Sequence, residues 1–79
     1  MNEERLRQAF TEGLGIDGDI DWAGLTYRGI REWDSVAHMQ LIAELEESFG
    51  VMLDTSDVIA MSSFTIAKEI LQRYGVSFG

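Results

Sequence analysis

The sequence predicts an all-α fold: a small four-helix bundle with three main helices, one short helix and a long ordered loop between the first and second. Three observations lead there. Apolar residues recur at three- and four-residue spacing in three separate segments, as a helix with one buried face requires. Strand-type alternation is nowhere sustained, and no internal repeat is present. Glycines and short polar residues, which stop and cap helices, fall at the segment ends.

The first helix is predicted over residues 3–14, where Leu6, Ala9, Phe10 and Leu14 share a face. Glu3 and Glu4 suit its first turn, because the helix dipole favours acids there. Gly13 and Gly15 are both candidate stops. Residues 15–33 form a long connection that is not a polar linker, since Ile16, Ile20, Trp22, Leu25, Tyr27, Ile30 and Trp33 recur through it. Loops of this length are packed by their own side chains or carry function, so an ordered loop laid over a helical core is expected. A short helical turn is expected near Trp22 to Leu25.

The strongest helix is predicted over 35–49 and ended by Gly50. On a helical wheel Leu41, Ile42, Leu45 and Phe49 share the core face with His38. Val36, Met39, Gln40, Ala43 and Glu47 fall opposite, with Glu44 at the edge. Asp54-Thr55-Ser56-Asp57 offers caps for a short third helix through Val58, Ile59 and Met61. Ser62 or Ser63 then caps a last helix carrying Phe64, Ala67, Ile70, Leu71 and Tyr74, stopped by Gly75.

Seventy-nine residues make a single domain, 1–79, with a thin core and little interior to spare for a deep substrate cleft. The 14 acidic and 6 basic residues set a net charge of −8. Such a surface repels phosphate backbones and favours basic protein partners over nucleic acid. The chain contains no cysteine, which excludes disulfides and thiolate chemistry of its own. The first residues carry no signal-like pattern and no apolar run approaches spanning length, so a cytoplasmic chain without a membrane span is expected.

Asp17-Gly18-Asp19-Ile20-Asp21 begins like a calcium-binding loop, with carboxylates at alternate positions. Trp22 then stands where the loop needs glycine, and Arg28 where it needs a bidentate acid, so no metal site is expected. His38, the only histidine, lies one turn after Ser35; as a Ser–base pair it would point to hydrolysis. The wheel turns it toward the core instead, as a packed histidine at the helix–loop junction. Trp22, Tyr27 and Trp33 are expected to anchor the long loop. Val36, Met39 and Ala43, rimmed by Glu44 and Glu47, form an apolar centre with an acidic edge, suited to transient docking of a basic partner.

The chain is organised around Trp33-Asp34-Ser35-Val36. Asp34 and Ser35 both suit a helix N-cap, since a short side-chain oxygen can accept from an orphan backbone N–H. Ser35 can equally be a covalent attachment point, its hydroxyl held at an exposed helix start. These four residues leave both readings open.

Asp34-Ser35-Val36, with the downstream run Leu41-Ile42-Ala43-Glu44-Leu45-Glu46-Glu47-Ser48-Phe49-Gly50-Val51, resembles the acyl and peptidyl carrier protein family. There an Asp-Ser-Leu or similar triplet opens the second helix, and a run close to Leu-x-x-x-Leu-Glu-Glu-x-Phe closes it. The length, the long first loop, the short third helix after Leu53-Asp54 and the last helix opening Ser63-Phe64-Thr65-Ile66 extend the likeness over nearly the whole chain. Val36 departs from the commoner leucine. Trp33 and His38 differ from the fatty-acid-synthesis pattern and look more like stand-alone carriers of secondary metabolism or surface-polysaccharide pathways.

The resemblance implies an acyl-carrier-protein-like bundle and a 4′-phosphopantetheine arm joined to Ser35, transferred from coenzyme A by a phosphopantetheinyl transferase. Acyl or aminoacyl cargo would ride as a thioester on the arm's thiol, so the chain would be a non-catalytic carrier. A loading ligase would charge it, and a synthase, condensing enzyme or acyltransferase would unload it. Asp34, Val36, Met39, Gln40, Ala43, Glu44 and Glu47 would form the partner face of a monomer. The competing expectation is a small, unmodified helical interaction module in which Ser35 only caps.

Overall fold

In the computed structural model, which describes residues 2–78, helix α1 spans Asn2–Leu14, α2 Ser35–Phe49, α3 Thr55–Ala60 and α4 Phe64–Arg73. Met1 and Gly79, the ends of the predicted domain, lie outside the described residues. A 3-10 turn at Trp22–Gly24 sits in the long loop where a helical turn is expected. The chain is therefore an all-helical bundle. Among the described residues there is no β-strand, only an isolated bridge between Thr26 and Ser63.

The three long helices end alike. Ile16, Val51 and Val76 donate their N–H groups back to the carbonyls of Thr11, Glu46 and Leu71, at 3.1, 3.2 and 3.1 Å. Such a reversal needs left-handed backbone just past the helix, and Gly15, Gly50 and Gly75 supply it at φ 67°, 64° and 92°. Gly13 is not a stop, contrary to the sequence expectation. It lies buried within α1, where a Cβ would meet the Leu41 Cα at 2.7 Å. The backbones of α1 and α2 approach closely only because this position has no side chain.

The core forms where the predicted faces meet: Leu6, Phe10 and Leu14 of α1, Leu41, Ile42 and Leu45 of α2, and Phe64, Ile70 and Leu71 of α4. Phe10 is its aromatic hub, with edge-on contacts to Trp33 at 5.4 Å, Phe64 at 5.1 Å and Trp22 at 6.2 Å. The loop is thus part of the core, and Trp33 is fully buried. Two backbone bonds staple the loop to the α3–α4 junction: Tyr27 N–H to the Ser62 carbonyl, 2.8 Å, and Phe64 N–H to the Leu25 carbonyl, 3.1 Å.

Helix α3 is attached differently, for none of its residues is fully buried. Of the two candidate caps for α4, Ser63 serves: its Oγ accepts from Ile66 N–H at 3.0 Å. Asp54 precedes α3 but makes no side-chain cap bond. Asp57 instead accepts from Tyr74 Oη at 2.5 Å and from Arg73 at 3.1 Å, tying α3 to the end of α4. The Asp57 carboxylate pushes the Tyr74 hydroxyl above its ordinary phenol pKa. Among the described residues no helix is long and apolar enough to cross a membrane.

Gly13→Ala separates local propensity from packing. In an isolated helix the change gains about 1 kcal/mol. Against the Leu41 backbone it forces the helices apart, so urea denaturation should show a net loss of about 1–2 kcal/mol. A gain in stability would mean that the two helices do not pack this closely.

Candidate functional site at the start of helix α2

Three consecutive residues at the head of α2 have three different jobs. Trp33 is buried, its carbonyl accepting from Arg28 N–H at 3.0 Å and its N–H donating to the Ile30 carbonyl at 3.2 Å. Asp34, in extended backbone, is the N-cap: its Oδ1 accepts from Ala37 N–H at 2.9 Å, and its carbonyl accepts from His38 N–H at 2.8 Å. Ser35 is the first helical residue, exposed, and its hydroxyl makes no hydrogen bond among the described residues. The cap falls to Asp34, and Ser35 is left free.

His38 is half-buried one turn further on, stacked on Trp33 and edge-on to Tyr27. The Trp33 indole N–H donates to His38 Nδ1 at 2.9 Å, and Nε2 lies 2.8 Å from the Val58 carbonyl in α3. An indole can only donate and a carbonyl only accept, so Nδ1 is bare and Nε2 carries the proton. Both ring nitrogens are engaged, and neither is left to take a proton from Ser35. The histidine packs as the wheel expects and is not arranged as a base.

Ser35 opens onto a cleft of about 410 Å³ between α2 and α3, lined chiefly by His38, Met39, Val58, Ile59 and Met61. Its walls are apolar apart from a few side-chain ends, among them the Ser35 hydroxyl, and it lies open to the surface. Although a thin core leaves little interior for a substrate, α3 creates this room by standing off α2.

The predicted partner residues are placed unevenly around this point. Val36 and Met39 are 69% and 57% exposed, far more than core positions allow. Asp34, Gln40, Ala43 and Glu47 are exposed too, and Glu44 is half-buried. Only Met39 of this set reaches the cleft. Glu44 and Glu47 line a separate groove against α1, facing Arg5 and Glu12. Sequence reasoning overlooked Ile59, 77% exposed on the α3 side of the cleft. A helix of six residues has too few turns for a wheel to assign its faces. Asp17, Asp19 and Asp21 are exposed, and among the described residues no three His, Asp or Glu side chains gather as a metal site would need.

No known protein family, curated protein or solved structure matches this chain.

The division of labour between Asp34 and Ser35 can be measured by chemical denaturation. Asp34→Ala should cost about 1 kcal/mol, the usual worth of an N-cap. Ser35→Ala should stay within about 0.5 kcal/mol, as at an exposed position without a partner. Equal losses at both positions would return Ser35 to the role of a cap.

Proposed function

We propose that this chain is an acyl-carrier-protein-like carrier whose Ser35 holds a 4′-phosphopantetheine arm. One observation carries the reading: Asp34 supplies the cap, so the Ser35 hydroxyl stands exposed at the start of α2, without a hydrogen bond among the described residues, beside an open apolar cleft. The residues fit the group. Ser35 Oγ is free to form the phosphodiester, and nothing in the first turn of α2 competes for it. A phosphopantetheinyl transferase would supply the arm from coenzyme A: the Ser35 Oγ–P bond forms as the pyrophosphate P–O bond breaks, adenosine 3′,5′-bisphosphate leaves and the serine proton is lost to the transferase or solvent. When bound, the arm would supply the thiol on which acyl or aminoacyl cargo could be held as a thioester, a group that a chain lacking cysteine does not have of its own.

The domain is a handle and not a catalyst. A tether raises the effective concentration of cargo at whichever loading ligase, condensing enzyme or acyltransferase has docked. Docking of this kind must be brief. Exposed Val36, Met39 and Ile59 give a small apolar surface, and the −8 net charge attracts basic partners to the chain as a whole. The same exposed residues also favour a second reading, an unmodified interaction module that binds through this face alone.

Intact-mass spectrometry decides between them. The chain, incubated with coenzyme A and a broad-specificity phosphopantetheinyl transferase, should convert fully by one arm mass, and Ser35→Ala should not convert. An unchanged mass, with the transferase active on a control carrier, refutes the carrier reading and leaves the interaction module.

A further inference from the structure

We propose that His38 is a positioning residue, a two-ended strut that fixes α3 against the first turn of α2 and so sets the width of the cleft beside Ser35. The proposal rests on the carrier reading only for the consequence it has at Ser35. The strut itself stands on geometry.

Helix α3 needs such a tie. It has six residues and none is fully buried, so apolar packing holds it less firmly than the other helices. Its last carbonyls have no partner within the helix, as at any helix end. Asp57 accepts from Met61 N–H at 3.1 Å, and the Val58 carbonyl accepts from His38 Nε2 at 2.8 Å. His38 thus caps α3 from another helix. Its other nitrogen is held by the indole of Trp33, which is fully buried. The ring can neither flip nor swing without breaking one of two bonds. The pull on α3 therefore passes through the imidazole to the most deeply packed aromatic of the loop.

Two adjacent residues in the middle of α3 are consequently tied to different elements. Asp57 is bound to Tyr74 and Arg73 at the end of α4, and Val58 is bound to His38 in α2. Val58 and Ile59, which follow Asp57 directly, form the α3 wall of the cleft facing Ser35 and Met39. Without the His38 bond this wall keeps its tie to α4 but loses its register with α2. An enzyme that grips both helices around Ser35 then meets a surface that is correct only part of the time. Such an enzyme binds more weakly in proportion, with the chemical step unaltered.

Two substitutions cut the strut at opposite ends. Asn carries its amide at about the reach of Nδ1, so His38→Asn can still accept from Trp33 but cannot reach Val58. Gln carries its amide at about the reach of Nε2, so His38→Gln can still donate to Val58 but leaves the indole unpaired. Amide hydrogen exchange on the unmodified protein should be about tenfold faster at Val58, Ile59 and Met61 in His38→Asn, the effect of one lost hydrogen bond, with α1 and α4 unchanged. In His38→Gln those amides should stay near wild-type rates. In the transferase reaction His38→Asn should raise KM several-fold with kcat preserved, and His38→Gln should restore KM.

Uniform acceleration across the chain in both variants, or none at α3 in either, would overturn the proposal. Should the variants fail to fold, nitrogen NMR of the wild-type imidazole at mildly alkaline pH is decisive. It should find the proton on Nε2, and a proton on Nδ1 would overturn the strut. If the transferase leaves even the wild type unmodified while α3 loosens in His38→Asn alone, the strut holds and the carrier reading fails.

Discussion

The hydrogen bond from the buried Trp33 indole to His38 locks the end of the long loop onto the first turn of the helix that follows it. A buried indole N–H without a partner would cost about 1–3 kcal/mol, so this tryptophan can fill the core only if an acceptor is close. The acceptor is on the first turn of α2, which fixes the rotation of that helix about its own axis. Leu41, Ile42 and Leu45 then point inward, and Val36 and Met39 are turned outward. The same rotation leaves Ser35 on the exposed side, while the Asp34 cap on the Ala37 N–H is set locally by the residue at which the helix begins. The burial of Trp33 and the exposure of Ser35 two residues on follow from one constraint.

Electrostatics and packing divide the surface as well. Three ion pairs clamp exposed or half-buried positions: Arg7 and Lys68 on Glu3, and Arg73 on Asp57. The lysine and the arginine hold the Glu3 carboxyl below its ordinary pKa, with the bond to Lys68 the larger cause. Exposed pairs of this kind contribute little to stability individually. They do bring Glu3 of α1 and Lys68 of α4 together beside the C-terminal turn, where Asn2 also donates to the Ser77 carbonyl at 2.7 Å. That side of the bundle is laced together. The side around Ser35 is left apolar, open and bounded by the least-packed helix.

The helices were legible in the sequence because each long one carries a regular apolar face and a glycine just past its end. Gly13 misled for a physical reason. A glycine that ends a helix and a glycine that lets two helices touch look the same until the partner, here Leu41, is in place. Asp34 and Ser35 were equally plausible caps because both side chains can reach; the backbone register of one residue decides between them. The placement of His38 near the core was readable from its wheel position. Its bond to Val58 was not, because that partner lies 20 residues further on, on a helix too short to show a period. For the same reason the cleft was invisible. Its far wall is α3, and the expected acidic rim of Glu44 and Glu47 turned out to border the groove against α1.

Trp33 locks the loop to α2, and the exchange rates of the two indole protons test this directly. Trp33 donates to His38 from a fully buried site, whereas Trp22 is half-buried and its indole makes no hydrogen bond among the described residues. By NMR hydrogen exchange the Trp33 indole proton should be lost at least about a hundredfold more slowly than that of Trp22, at a rate set by unfolding of the whole domain. If the two protons exchange equally fast, the loop is not locked to α2, and the presentation of Ser35 needs another cause.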